Sequence, residues 1–318
     1  MDLAMTYEYD FIALGSGPAG ESAAELAAWF GHRSAVIERA RPGGTVTKTG
    51  GAPTKTLREA ALYFSGLSEG IYGLRTAAPE EVAIDVIRKR TWEFCGLLQK
   101  EMAEKIARNG VDYIEGAASP QPDGGLMVAG TDGRQRKLRA KKTLIATGSR
   151  PLRPKKISFE IPGVCDTDTI LYRGRPPRDI LIVGGGPVGV KFATICHALG
   201  AKVAIADLGS RMIPAMDGEV SSWMGDLSHK WGVTVYFGST VETIEARDDA
   251  LRVKLSTERT LYPDTVLFAA GRVANTDGLG LEAVGITSDS RGRIIVDRNF
   301  QTTADGIYAA GHVVCRRR

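Results

Sequence analysis

Cysteine is scarce in this chain and scattered. Cys95, Cys165, Cys196 and Cys315 form no CxxC or CxxxxC pair, so neither a redox dithiol nor a thiolate metal site of ordinary spacing is available. They read as free thiols of a small, commonly buried side chain. His32, His197, His229 and His312 are equally dispersed, and none has neighbours that argue for a metal ligand set or a catalytic triad. No apolar run reaches membrane-spanning length. The opening MDLAMTYEYD is acidic and leads into a strand, without the basic and apolar regions of a signal peptide, so a cytoplasmic protein with no membrane contact is expected. Lys and Arg number 41 against 37 Asp and Glu, and apart from Arg316, Arg317 and Arg318 they do not cluster. A nucleic-acid footprint needs a coherent basic stripe, so no nucleic-acid partner is expected. No metal site, low-complexity segment or short repeat is evident.

What the chain does have is length and an ordinary globular balance. Its 318 residues, 43% hydrophobic and 25% charged, allow two domains, each with its own core. Two Gly-x-Gly-x-x-Gly fingerprints divide that length, Gly15/Gly17/Gly20 and Gly184/Gly186/Gly189. Each follows an apolar run, YDFIAL or DILIVG, and precedes a small-residue helical pattern. Each is also followed by an acidic residue at the same distance from its first glycine, Glu38 in one case and Asp207 in the other.

A buried strand that turns at once into a helix accounts for this spacing. The first glycine takes the tight turn, the second lets a pyrophosphate touch backbone, and the third lets the helix pack on the strand. The exposed N–H groups of the helix start then hold phosphate. A second strand, SAVIE or KVAIAD, ends in a carboxylate that accepts hydrogen bonds from a ribose, which makes Glu38 and Asp207 the expected ribose binders. A single match could merely pack a turn, but two matched units in the right context predict two dinucleotide sites.

The rest of the chain punctuates around these units. RPGGTVTKTGGAPTKTLREAALYF is a Gly- and Thr-rich loop running through Pro53 into a helix, and residues 80 to 108 read as helical. Short alternating strands with turns at PDGG and TDG lead to the buried run TLIATG, then RPLRPKK marks a crossover. VTVYF, TVETIEA, LRVKL and TVLFAAGR complete the second unit, and IIVD, QTT and GIYAAG follow. The order predicts an α/β chain of two Rossmann-like domains, the second inserted into the first: residues 1–152, then 153–273, then a return segment 274–318.

GSGPAG with Glu38, GGT at 43 to 45, PTK at 53 to 55, ATGSRP at 146 to 151, GGGPVG at 184 to 189, AAGR at 269 to 272 and GIYAAG at 306 to 311 together resemble the flavoprotein disulfide reductases, the glutathione reductase-like class that includes dihydrolipoamide dehydrogenase. The resemblance covers nearly the whole chain. It implies FAD in the first domain, with contacts at Gly44, Thr45, Lys55, Thr147, Gly148 and Gly311, and NAD(H) or NADP(H) in the inserted one. The disulfide members carry a CxxxxC pair after GGT, where this chain has Val46 and Gly51. Without thiolates a flavin-to-disulfide relay has no carrier. TKTLREAALY and AAGRVANTDGLGLEAVGI are similar instead to the soluble, Si-specific NAD(P)+ transhydrogenases.

That resemblance implies hydride transfer from NADPH to NAD+ through bound flavin, with nicotinamide nucleotides as substrates and Lys55 stabilising negative charge on the reduced ring. For nucleotide choice, Asp207 favours an NAD ribose and Arg211 could attract a 2′-phosphate, with Arg272 a further candidate on the nicotinamide side. Three departures stand out. Lys191 occupies the place of a family glutamate that pairs with the lysine at Lys55, so two ammonium groups are expected to rearrange or to part. Gly311-His312 replaces a Gly-Asp pair that holds the ribityl chain. The C-terminal domain through which the full-length family forms homodimers is absent, so a truncated homologue is the expectation. Two further readings stay open: a diaphorase or oxidase passing electrons to a quinone or oxygen, and an inactive nucleotide-binding module.

Overall fold

The apolar runs FIAL and ILIV do not alternate with polar residues because both faces of their strands are covered. In the computed structural model, which describes residues 6–64 and 80–316, Tyr9–Leu14 and Asp179–Val183 are each the middle strand of a five-stranded parallel sheet. Parallel strands of this kind need helices or sheets on both sides. The first five residues of the acidic start, and Arg317 and Arg318 of the basic end, lie outside the described residues.

The chain forms two units, one of residues Met1–Lys48, Phe94–Arg150 and Val273–Arg318, the other of Thr49–Glu93 and Pro151–Arg272. In the first, the sheet runs in the order Ile307–Ala309, Ala140–Ile145, Tyr9–Leu14, Ser34–Glu38, Asp112–Glu115. Successive residues of one strand enter different cores: Ile12 and Leu14 pack with Leu126, Val128 and Leu138 of a three-stranded antiparallel sheet. Ala13 packs with Ala24 of the helix Pro18–Trp29 and with Ile106 of the helix Glu80–Arg108. The last described segment, Val314–Arg316, is a strand parallel to Ile294–Val296.

The second unit repeats this plan. Its sheet runs Thr234–Phe237, Lys202–Asp207, Asp179–Val183, Thr265–Phe268, Val164–Asp166. Ile180 and Ile182 pack against Val190, Phe192 and Ala193 of the helix Pro187–Ala198. Leu181 and Val183 face Leu251, Val253 and Leu255 of another three-stranded antiparallel sheet. The helix Ala52–Phe64 belongs to this unit as well. The expected α/β architecture of two Rossmann-like units is therefore what folds. Among the described residues no helix is long and apolar enough to cross a membrane.

Candidate functional site: two dinucleotide cradles

In the first unit the strand Tyr9–Leu14 ends at Gly15, whose φ is +104°. A Cβ there would lie 2.7 Å from the carbonyl oxygen of Ala146, so only glycine turns the chain at this point. A Cβ on Gly20 would overlap the Gly15 carbonyl oxygen, while Gly17 has open space around it. Gly17 is the N-cap of Pro18–Trp29, with proline in the first turn and no side chain on the free amides. That leaves a positive helix end open to an anion.

Glu38 closes the other side. One carboxylate oxygen accepts from the Ser16 N–H at 2.9 Å and from its hydroxyl at 2.8 Å. The other accepts from the Ala40 N–H at 2.9 Å and lies 3.7 Å from Lys48 Nζ. Burial pulls the Lys48 ammonium below the usual lysine range, and Glu38 partly offsets this. Gly44 approaches Gly17 so closely that a Cβ would sit 3.1 Å from its Cα, and a Cβ on Gly311 would meet Ala19 at 3.2 Å. Thr45 opens the short helix Thr45–Lys48. Thr147 donates its hydroxyl to the Asn275 carbonyl at 2.8 Å; Asn275 returns a side-chain bond to the Thr147 carbonyl at 3.0 Å and a backbone bond to that of Gly148. A cleft of about 280 Å³ runs past Gly15, Glu38, Arg39, Thr147, Asn275 and Asp277.

The second unit builds the same cradle. Gly184 has a φ of +114° and a Cβ on it would lie 2.7 Å from the Ala269 carbonyl oxygen; a Cβ on Gly189 would overlap the Gly184 carbonyl oxygen; Gly186 is open. Gly186 is the N-cap of Pro187–Ala198, again with proline next and no side-chain cap. The Asp207 carboxylate accepts from the Gly185 and Gly209 N–H groups, each at 2.6 Å. Arg211 is exposed, and its guanidinium donates to the Pro214 carbonyl at 3.0 Å. The adenosine and pyrophosphate portions of a dinucleotide fit both cradles, because each offers an uncapped helix start and a prepositioned carboxylate across a glycine turn.

Lys55 and Lys191 do not meet as two ammonium groups. Lys55 is exposed on the helix Ala52–Phe64, and Lys191 Nζ is half-buried, 3.3 Å from the Thr54 hydroxyl. That hydroxyl donates back to the Gly50 or Gly51 carbonyl, so it can accept from the lysine. Burial, not a neighbouring cation, draws the Lys191 ammonium below the ordinary lysine range. Arg272 stands 3.5 Å from Asp168, whose carboxyl burial raises above the usual carboxylate range. His312 is exposed in a short 3₁₀ turn, Gly311–Val313.

Sequence reasoning passed over Ser16, Lys48 and Asn275. Ser16 is the variable residue inside the first fingerprint, Lys48 lies in the Thr-rich loop, and Asn275 is distant in the chain from the residues it clips. Only the Asn-Thr-Asp-Gly turn signal near Asn275 could have marked it. No cluster of His, Cys, Asp or Glu suited to a metal occurs among the described residues.

A family model described as pyridine nucleotide-disulphide oxidoreductase matches residues 9–318. The soluble pyridine nucleotide transhydrogenase of Pseudomonas fluorescens strain SBW25 is 34% identical over 312 residues, which is 97% of this chain and 67% of that protein. Its counterpart from Pseudomonas aeruginosa strain LESB58 gives the same figures. Among solved structures, the Cu(II) complex of the HOCl-induced flavoprotein disulfide reductase RclA from Escherichia coli superposes with a TM-score of 0.85 at 29% identity, covering 97% of this chain and 66% of that one. LpdA from Mycobacterium tuberculosis shares the fold, with a TM-score of 0.87 at 23% identity over 96% of this chain and 67% of that one. The chain thus spans about two thirds of the length of its relatives. It belongs to the pyridine nucleotide-disulphide oxidoreductase family, whose cofactors are FAD and the nicotinamide nucleotides NAD(H) and NADP(H).

Proposed function

We propose that this chain transfers hydride between NADPH and NAD+ with FAD as intermediary, residues 1–152 and 274–318 serving FAD and 153–273 serving the nicotinamide nucleotides. The observation that carries this reading is the pair of matched cradles together with Val46 and Gly51 where a thiol relay would need two cysteines. FAD, when bound, supplies a ring that accepts and returns hydride.

The chain's own part is holding and orienting. The amides after Gly17 and Gly186 take the pyrophosphates, and Glu38 and Asp207 accept from the riboses. Gly44, Thr45, Thr147, Gly148 and Gly311 shape the first cradle, and Lys55 brings positive charge to the reacting end. Gly184, Gly189, Arg211 and Arg272 are assigned to the nicotinamide nucleotide. No side chain need act as nucleophile, so orientation carries the rate.

A second reading, an NADH-dependent diaphorase or oxidase, draws on Asp207 and Arg211. Both Asp207 oxygens are anchored by amides, and Arg211 is tied to Pro214. A 2′-phosphate would meet fixed negative charge without a free guanidinium beside it. Asp207→Asn should therefore improve the affinity for NADPH relative to NADH by about tenfold, measured by titration calorimetry.

The deciding experiment mixes FAD-loaded protein with NADPH and a spectrally distinct NAD+ analogue and follows both nucleotides and oxygen. Analogue reduction without oxygen uptake is expected. Oxygen or quinone reduction alone would favour the diaphorase, and absence of any flavin reduction would leave an inactive nucleotide-binding module.

A further inference from the structure

The two helix starts differ at one buried position. The residue after the third glycine is Val190 in the second unit, where it packs into the core with Ile180 and Ile182. In the first unit it is Glu21, which lies in the first turn of Pro18–Trp29 and is only 5% exposed. An acid there is drawn by the same partial positive charge that a phosphate uses. Being four residues beyond Gly17, it stands about 6 Å along the helix axis from the open amides. A buried charge at that range is poorly screened, so an uncompensated Glu21 would oppose a pyrophosphate.

Compensation comes from a different helix. Lys105, in the last turn of Glu80–Arg108, places Nζ 3.0 Å from Glu21 Oε1 and 2.8 Å from Glu25 Oε2. Glu25 is one turn farther along Pro18–Trp29, and its remaining oxygen is buried without a hydrogen-bond partner. The bonds to Glu25 and Glu21 hold the Lys105 ammonium above the usual lysine range. Among the described residues no other cation pairs with either acid, and Arg108, on the same helix, is tied to Glu101 and Glu104. Two carboxylates thus share one ammonium, and its loss would leave both charges without a counter-ion.

We propose that Lys105 is a positioning residue for FAD: it neutralises Glu21 at the first helix start and so keeps the amides after Gly17 receptive to the pyrophosphate. The inference rests on FAD occupying the first cradle and not on where the hydride goes afterwards. The second cradle, with Val190 in place of the acid, has no such requirement.

The test is the FAD affinity of the apoprotein, by calorimetry and flavin fluorescence, with circular dichroism reporting on the fold and NADH affinity on the second cradle. Lys105→Met should weaken FAD about tenfold and leave NADH binding unchanged. Adding Glu21→Gln to that variant should restore the affinity to within about threefold of the parent chain. A lysine that merely packs two helices together could not be rescued by removing a charge. Lys105→Arg should bind like the parent chain. Where Lys105→Met does not fold, Glu21→Gln alone decides: with Lys105 intact it removes negative charge, and FAD should bind about threefold more tightly. Unchanged affinity in Lys105→Met, no rescue in the double variant, or unchanged or weaker binding by Glu21→Gln would each overturn the proposal. A parent chain that binds no FAD would overturn the cofactor assignment and this inference with it. Absence of hydride transfer, with these affinity differences present, would overturn only the function proposed above and leave the role of Lys105 supported.

Discussion

The two cradles differ less in their backbones than in what secures their carboxylates. In both, the first glycine has a positive φ, the third admits no side chain, and the acid bridges the amide after the first glycine to the amide two residues beyond itself. Glu38 holds more: the Ser16 hydroxyl and the half-buried Lys48 ammonium as well. Asp207 has two amides and, among the described residues, no salt bridge to its carboxylate. The turn is dictated by strand-to-helix geometry, so it recurs. The surroundings of the acid are free to diverge, and they make the first cradle a more firmly braced site than the second.

The largest effect should come from breaking what the two have in common. Gly20→Val and Gly189→Val each force a side chain into a backbone carbonyl that cannot retreat, and each should cost about 3 kcal/mol or more in denaturant unfolding. A much smaller cost in either would mean that its helix does not sit on its turn as described.

Truncating the acids separates the cradles. Glu38→Ala removes the acceptor of the buried Ser16 amide and hydroxyl and of the amide of exposed Ala40, and the two buried Ser16 groups should cost about 1–3 kcal/mol. Asp207→Ala strands two amides, one of them on exposed Gly209, and should cost less. Equal losses in thermal unfolding would erase the distinction between a braced and an open carboxylate.

Alkaline pH should divide the units by a smaller margin. Burial pushes the thiols of Cys165 and Cys196, in the second unit, up to about 12 from 9.0. In the first it pushes the Tyr113 phenol up to about 12 from 10.0 and also raises the single buried thiol of Cys95 from 9.0. In each case the folded chain favours the protonated form. The associated stability is complete below the unfolded value and is lost as pH climbs towards the folded one. Hydrogen exchange between pH 9 and 10 should therefore loosen the second unit before the first, and Cys196→Ala should reduce that lead. At pH 8 the half-buried Cys315 should be alkylated well before the three buried thiols.

Much of this arrangement was readable in the residues because it rests on local rules. Glycine spacing, an apolar strand ahead of it and an acid at a fixed interval are consequences of one turn and one strand length, so both cradles could be placed from the chain alone. The glycine contacts at Ala146 and Ala269 were not readable, since they depend on which strand lies alongside. Asn275 escaped notice because it clips a loop more than a hundred residues away. Lys191 was expected to respond to Lys55, yet its neighbour is Thr54 on the same helix, one residue earlier. A helix face decides that choice, and sequence spacing alone does not say which face turns inward. The assignment of Thr49–Glu93 to the second unit likewise follows from packing of Ala52–Phe64, which no motif announces.

Hydride passage between nicotinamide and flavin with no sulfur carrier in between leaves the thiols untouched. Anaerobic titration of the FAD-loaded chain with NADH or NADPH, followed at visible wavelengths, tests it most directly. Complete bleaching at one nucleotide equivalent per FAD is expected, with no change in the number of titratable thiols. Uptake of a second equivalent, with two new thiols appearing, would contradict it.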